Sequence, residues 1–232
     1  METKLLLINL PCYLSMKDFV ENSYSYNPSL GLLAIAEYVS MFGFSAKVID
    51  YNYAELDYYS LEEFICKEGI SVVGVTAYTE NLNLLFKFAK VLKDINRNLT
   101  IVVGGPHATL KPNEVIKNRY VDYVTVHDGE ASMLELLLHF EYGDSFIKID
   151  QIGGISTRKN VLMQRGNVSD LSLLPIINRL KAQPERYNMV VTLYSSKGCP
   201  AKCIYCAASF ISGSKYRIRN AYSRLPRELG LE

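Results

Sequence analysis

Three of the chain's five cysteines fall within "SSKGCPAKCIYCAAS", at Cys199, Cys203 and Cys206. The spacing C-x-x-x-C-x-x-C puts three thiolate donors on one short stretch. Such soft donors select zinc, copper(I) or an iron–sulfur cluster. A structural zinc site takes four closed ligands, usually from two paired motifs, and no fourth ligand is evident. Cys12 and Cys66 belong to other elements, and Cys66 sits inside a predicted helix, where it reads as a buried apolar residue. Three thiolates suit a [4Fe–4S] cluster with one iron left open to a further ligand. A partial zinc site completed by another chain is the alternative. An odd number of cysteines, three of them clustered, fits a reducing compartment better than a disulfide framework.

The elements that must position this stretch begin with a predicted buried strand directly before it, Asn188–Gly198. Farther upstream, apolar runs alternate with amphipathic stretches. Strands are predicted at Lys4–Leu10, Ala46–Tyr51, Ile70–Tyr78, Leu99–Gly105 and Val121–His127. Helices are predicted at Pro28–Phe44, Tyr58–Gly69, Asn81–Asn96, Pro112–Asn118 and Glu130–Gly143. This alternation implies an α/β fold, a five-stranded parallel Rossmann or flavodoxin-like sheet with helices on both faces and expected order 2-1-3-4-5. Ligands bind outside the carboxyl ends of such strands. The stretches to inspect are therefore "NLPCY", "TAYTE", "GGPHAT" and "HDGE".

After Gly143 the pattern changes. Gly153–Gly166 reads as a β-hairpin and Ser169–Glu185 as a proline-marked linker. The expected organisation is a ligand-binding domain over residues 1–150, a hairpin and linker over 151–187, and the start of a further domain over 188–232.

Composition removes several function classes. With 49% hydrophobic residues the chain can bury a sizeable core, and a formal net charge of +1 argues against an electrostatic nucleic-acid or acidic-membrane partner. No apolar run approaches the roughly 18 residues of a membrane span. The N-terminal run ends at Pro11 without a signal-peptide cleavage pattern. A soluble cytoplasmic protein is expected. A dinucleotide fold would show G-x-G-x-x-G after its first strand, where this chain has "NLPCYLS". A P-loop is absent, as is the acidic pair that a phospho-receiver domain carries near its first strand.

The cysteine spacing, its place after a strand, and the aromatic Tyr205 just before the last cysteine together resemble the radical S-adenosylmethionine superfamily. That resemblance implies that Cys199, Cys203 and Cys206 ligate a [4Fe–4S] cluster whose open iron chelates S-adenosylmethionine, with Tyr205 beside the adenine. It also implies an electron donor such as flavodoxin or ferredoxin. The upstream stretches "PSLGLLAIAEYVSMFGFSAKVID", "VGVTAYT", "IVVGGPHAT" and "VDYVTVHDGEASMLELL" resemble the cobalamin-binding domain of B12-dependent members of that superfamily. The likeness runs from about Lys4 to Ser209. It implies cobalamin contacts from Thr76, Ala77 and Tyr78, from Gly104, Gly105, Pro106 and His107, and from Asp128, Gly129 and Glu130. Gly104 and Gly105 remove side chains at a strand end, where a large flat ring must approach the backbone.

Methyl transfer to an unactivated carbon or phosphorus of a small-molecule or peptide substrate is the most frequent reaction that the resemblance implies. A cobalamin carrier without catalysis, or a zinc-stabilised α/β protein, are the other readings. One departure matters. Cobalamin mutases and methionine synthase share D-x-H-x-x-G, and none of His107, His127 and His139 has that context. Cobalamin would then bind with its dimethylbenzimidazole tail displaced and no histidine of that motif on cobalt. The resemblance also implies a (β/α) barrel of about 200 residues, while only 33 residues follow Cys199. The sequence is therefore expected to hold the first strand of a truncated barrel and to be inactive alone.

Overall fold

A computed structural model describes residues 3–12, 28–52, 56–159, 168, 170–178 and 193–220. The strands are β1 (Lys4–Asn9), β2 (Ser45–Asp50), β3 (Val72–Thr76), β4 (Thr100–Gly104), β5 (Tyr123–Thr125), β6 (Ile155–Ser156), β7 (Ser196–Lys197) and β8 (Arg217–Ile218). The helices are α1 (Leu30–Ser40), α2 (Tyr58–Glu68), α3 (Leu82–Ile95), α4 (Pro106–Leu110), α5 (Pro112–Ile116), α6 (Gly129–Tyr142) and α7 (Ala208–Ser212).

The first six strands form one sheet in the order β2-β1-β3-β4-β5-β6. β1 to β5 are parallel, in the expected 2-1-3-4-5 order, and β6 is antiparallel to β5. β1 lies inside the sheet, between β2 and β3, and "KLLLIN" is apolar on both faces. Alternate residues serve opposite layers: Leu6 and Ile8 join the core under α2 and α3, Leu5 and Leu7 the core under α1 and α6. In α3 the buried positions Leu82, Leu85, Phe88, Ala89 and Leu92 form one helical stripe. The edge strand β2 exposes Lys47, paired with Glu68 at 2.9 Å, a charge that discourages edge-to-edge pairing.

Local signals set the helix ends. The Asp57 carboxylate accepts hydrogen bonds from the Tyr59 and Ser60 amides and starts α2. Cys66, expected in the core, is exposed on this helix. The buried stripe of α2 runs through Leu61 and Ile65, and one further residue turns the side chain away from it.

Three more expectations need correction or limits. The first arm of the predicted hairpin instead lies against β5, with Thr125 opposite Ile155; the second arm, over 160–166, is outside the described residues. The predicted buried strand at 188–198 keeps strand structure only at β7, which pairs antiparallel with β8. Leu193 and Tyr194 before it are exposed, so the described part is not a parallel barrel strand; 188–192 lie outside the description. Of the predicted linker, Leu171–Leu173 forms a 3-10 turn. Among the described residues, no helix is long and apolar enough to cross a membrane.

Candidate functional site

The carboxyl ends of β1, β3, β4 and β5 open into a cavity of about 740 Å³. Its buried side is apolar, lined by Leu7, Val102 and Met133. Three glycines keep it open. A Cβ on Gly74 would stand 2.6 Å from Leu7 Cδ2, and one on Gly104 would stand 2.7 Å from Thr125 Cγ2. Gly105 has φ +96°, and a Cβ there would meet Thr76 Cγ2 at 2.9 Å and the Ala77 carbonyl oxygen at 3.1 Å. Only glycine takes that backbone without strain. The next residue, Pro106, starts α4 with its preset φ, turning "GGPHAT" into a glycine ledge followed by a helix.

Polar residues also line this space. Asn9 donates through Nδ2 to both Asp50 oxygens at 3.1 Å. Its Oδ1 is thereby left buried without a partner among the described residues, as is the Thr125 hydroxyl. Both residues line the cavity. Buried polar groups are nearly always satisfied, so two orphaned acceptors in one cavity point to a polar occupant. Burial pushes the Asp50 carboxyl up, against hydrogen bonds from Asn52, Asn9 and Ser29. Burial also raises the phenol of Tyr78, which therefore lines the cavity as a neutral donor.

The loop after β5 holds the segment that carries the cysteines. His127 has φ 61°, a left-handed conformation tolerated by few non-glycine residues. Its amide donates to the Thr109 hydroxyl at 3.0 Å, and its Nδ1 lies 3.2 Å from the Ile211 carbonyl oxygen in α7. The turn presents Asp128 at the start of α6. Arg217 reaches one Asp128 oxygen at 2.7 Å and Lys197 the other at 3.0 Å. Lys197 also lies 3.1 Å from Glu130 Oε1. Burial opposes the Asp128 charge, but Lys197 and Arg217 outweigh it and hold the pKa below the usual carboxylate range. Burial likewise opposes the Lys197 charge, and Glu130 and Asp128 overcome it to raise the ammonium above its ordinary value.

Of the residues singled out in the sequence, Thr76, Tyr78, Gly104, Gly105, Pro106, Asp128, Gly129 and Glu130 line the cavity, together with Cys199. Ala77 and His107 do not. Ala77 is a core residue whose amide bonds Gly104 and whose carbonyl accepts from His107. The buried His107 ring bonds the Thr79 hydroxyl through Nδ1 at 3.0 Å and has Nε2 3.7 Å from Glu114. It is committed to the turn rather than to the cavity. Cys203, Cys206 and Tyr205 are exposed, Tyr205 to 89%. All five cysteines are free. The donor set suits an iron–sulfur cluster in type, yet among the described residues no three Cys, His, Asp or Glu side chains gather around one point. A cluster would have to draw the thiols together as it bound, as metals commonly do. Asn9, Thr109 and His127 fall in the stretches marked for inspection without being singled out there as contacts; Thr125 and Lys197 were not foreseen, and only the lone basic residue in "SSKGC", set against the acids of "HDGE", hinted at the last.

The model of the B12 binding domain matches residues 16–137. The chain belongs to the B12-binding domain family. An uncharacterized methyltransferase of Pyrococcus horikoshii is 28% identical over 240 residues, covering 98% of this chain and 50% of that protein. Cytidylyl-2-hydroxyethylphosphonate methyltransferase of Streptomyces wedmorensis is 24% identical, covering 99% and 53%. This chain thus spans about half the length of these curated relatives. Among solved structures, the cobalamin-dependent S-adenosylmethionine radical enzyme OxsB with aqua-cobalamin bound superposes with a TM-score of 0.75 at 17% identity, over 94% of this chain and 30% of that one. The radical S-adenosylmethionine methyltransferase TsrM from Kitasatospora setae, with cobalamin and a [4Fe-4S] cluster bound, gives 0.71 at 16%, over 96% and 44%. Both share the fold. The cavity suits the family's ligand: it is roomy, floored by glycines, apolar within and fringed by unpartnered acceptors.

Proposed function

We propose that this chain is the cobalamin-binding part, with the cluster-anchoring loop, of a cobalamin-dependent radical S-adenosylmethionine methyltransferase. The observation that carries this reading is that a single cavity is bounded by the glycine-rich strand ends on one side and by Cys199 on the other. The relatives support it: two methyltransferases align over nearly the whole of this chain, and TokK, 26% identical over 153 residues, is a cobalamin-dependent radical SAM methyltransferase.

When bound, cobalamin supplies a transferable methyl group, and a [4Fe–4S] cluster with S-adenosylmethionine supplies the radical chemistry. The chain's own residues prepare the place. Gly74, Gly104 and Gly105 admit a flat ring and its tail to the backbone. Asn9 Oδ1 and the Thr125 hydroxyl meet amide and hydroxyl donors. His107 is tied to Thr79 and would not be needed to hold the cobalamin. Cys199, Cys203 and Cys206 would hold the cluster, and Tyr205 would lie beside the adenine. The substrate is a small molecule or peptide, a flavodoxin or ferredoxin delivers the electron, and the compartment is the reducing cytoplasm.

A second reading, a cobalamin carrier without a cluster, is favoured by the exposure of Cys203 and Cys206. Iron, sulfide and zinc analysis after anaerobic reconstitution separates the two. About four irons and four sulfides per chain, lost in Cys199→Ser with cobalamin binding retained, support the enzyme part. Cobalamin binding with no iron supports the carrier, and stoichiometric zinc without cobalamin overturns both.

A further inference from the structure

Lys197 stands two residues before Cys199 and pairs directly with Arg217 across β7 and β8. Like charges opposite each other on an antiparallel pair repel. Arg217 is also only 5% exposed, and a buried cation needs a partner. This small ladder is therefore stable only where carboxylates meet it. Asp128 and Glu130 supply them, so two cations face two anions in one buried group. Arg217 Nη2 donates to the Ser212 carbonyl at 2.7 Å and Nη1 also donates to that of Val168 at 2.5 Å, while Nε is buried without a partner among the described residues. Asp128 Oδ2 accepts from the Val168 amide at 3.1 Å. His127 adds a contact to Ile211 at 3.2 Å. The ion pairs of Asp128 and Glu130, the Val168 amide bond and the His127 contact join the β5–α6 turn and the start of α6 to segments at or beyond residue 168, while the two Arg217 bonds to carbonyls tie those segments to one another.

We infer that Asp128 and Glu130 are positioning residues: with Lys197 and Arg217 they clasp the cysteine-bearing loop to the rim of the cavity, and so fix Cys199 relative to whatever the cavity holds. The clasp also explains Gly198. Its φ is +91°, and a Cβ there would lie 2.1 Å from the Lys215 carbonyl oxygen, so the backbone turns sharply between the clasped Lys197 and Cys199. The docking stands on geometry alone; its purpose, aligning two cofactor sites, rests on the proposed function.

Hydrogen exchange on the ligand-free chain tests it, followed by mass spectrometry over 193–220 and over β1, β3 and β4. Asp128→Asn keeps the shape but removes the charge, and it disturbs no capping bond, since the Asp128 side chain makes none to α6. Lys197→Met removes the charge from the other side, so that poor folding of one variant leaves the other to decide. Lys197→Arg keeps it. The expected result is at least tenfold faster exchange over 193–220 in Asp128→Asn and Lys197→Met, with the sheet strands unchanged and Lys197→Arg close to the parent. Exchange over 193–220 within twofold of the parent in both charge-removing variants overturns the clasp and leaves the proposed function standing. Failure of the parent to bind hydroxocobalamin overturns the proposed function and leaves the clasp standing.

Discussion

Arg217 and Lys197 face each other across β7 and β8, yet both reach the Asp128 carboxylate, at 2.7 Å and 3.0 Å. One side chain at the start of α6 thus joins the sheet to the segment that carries the cysteines. Its charge should govern how that docking depends on pH. Asp128, with a folded pKa below its ordinary value, contributes stability that is present above about pH 4 and is lost as pH falls through the folded pKa. Lys197, with a raised folded pKa, contributes stability that is present below its ordinary pKa of about 10.4 and is lost as pH rises through the higher folded pKa. Protection of the Cys199 and Arg219 amides, which bond Gly213 and Ser195, should be constant from about pH 5 to 9. It should fall below about pH 4 before that of β1 does, as read by exchange corrected for intrinsic rates.

Replacing Gly105 with alanine forces a side chain into φ +96°. The left-handed conformation costs about 1–2 kcal/mol, and the contact with the Ala77 backbone adds to it. A total of about 2 kcal/mol lowers Tm by about 4–8 °C for a chain of this size. Thermal melting followed by circular dichroism should show this, together with weakened cobalamin binding.

The Thr125 hydroxyl is buried and without a partner among the described residues, on a residue that lines the cavity. Thr125→Val should leave the ligand-free protein as stable or slightly more stable, because no made hydrogen bond is lost. If the bound ligand uses the hydroxyl, affinity should fall about threefold to tenfold, equivalent to about 0.5–1.5 kcal/mol. Opposite signs in melting temperature and affinity distinguish a ligand contact from a packing residue.

His107→Ala removes the bond to Thr79 from a buried turn. A loss of about 1–3 kcal/mol in stability is expected. The visible spectrum of bound cobalamin should not change, since the ring is directed away from the cavity. A shifted spectrum would show instead that the imidazole reaches cobalt.

The sheet order was legible because each strand of the βα alternation is an apolar run with turn residues at its ends, and parallel connections leave few arrangements. The cavity was legible through "TAY" and "GGP", since ligands collect at carboxyl ends. What escaped depends on contacts between distant residues. Lys197 meets Glu130 across 67 positions and Arg217 meets Asp128 across 89, separations that no local periodicity records. Asp128 and Glu130 therefore read as cofactor contacts, when their carboxylates are engaged with the cysteine segment. Ala77 and His107 sit in the right loops but do not line the cavity: Ala77 is packed into the core and the His107 ring is bonded to Thr79. Cys66 misled in another way: a small apolar residue in a helix reads as core unless its angle from the Leu61–Ile65 stripe is counted.

The central claim is that the cavity at the strand ends is a cobalamin site, and titration of the chain with hydroxocobalamin, followed by its visible spectrum, tests it most directly. One cobalamin per chain should bind saturably, with the spectrum of a displaced dimethylbenzimidazole tail, and Gly104→Val, which fills the cavity, should weaken it at least tenfold. An unchanged spectrum at saturating chain concentration, or equal binding by Gly104→Val, would contradict it.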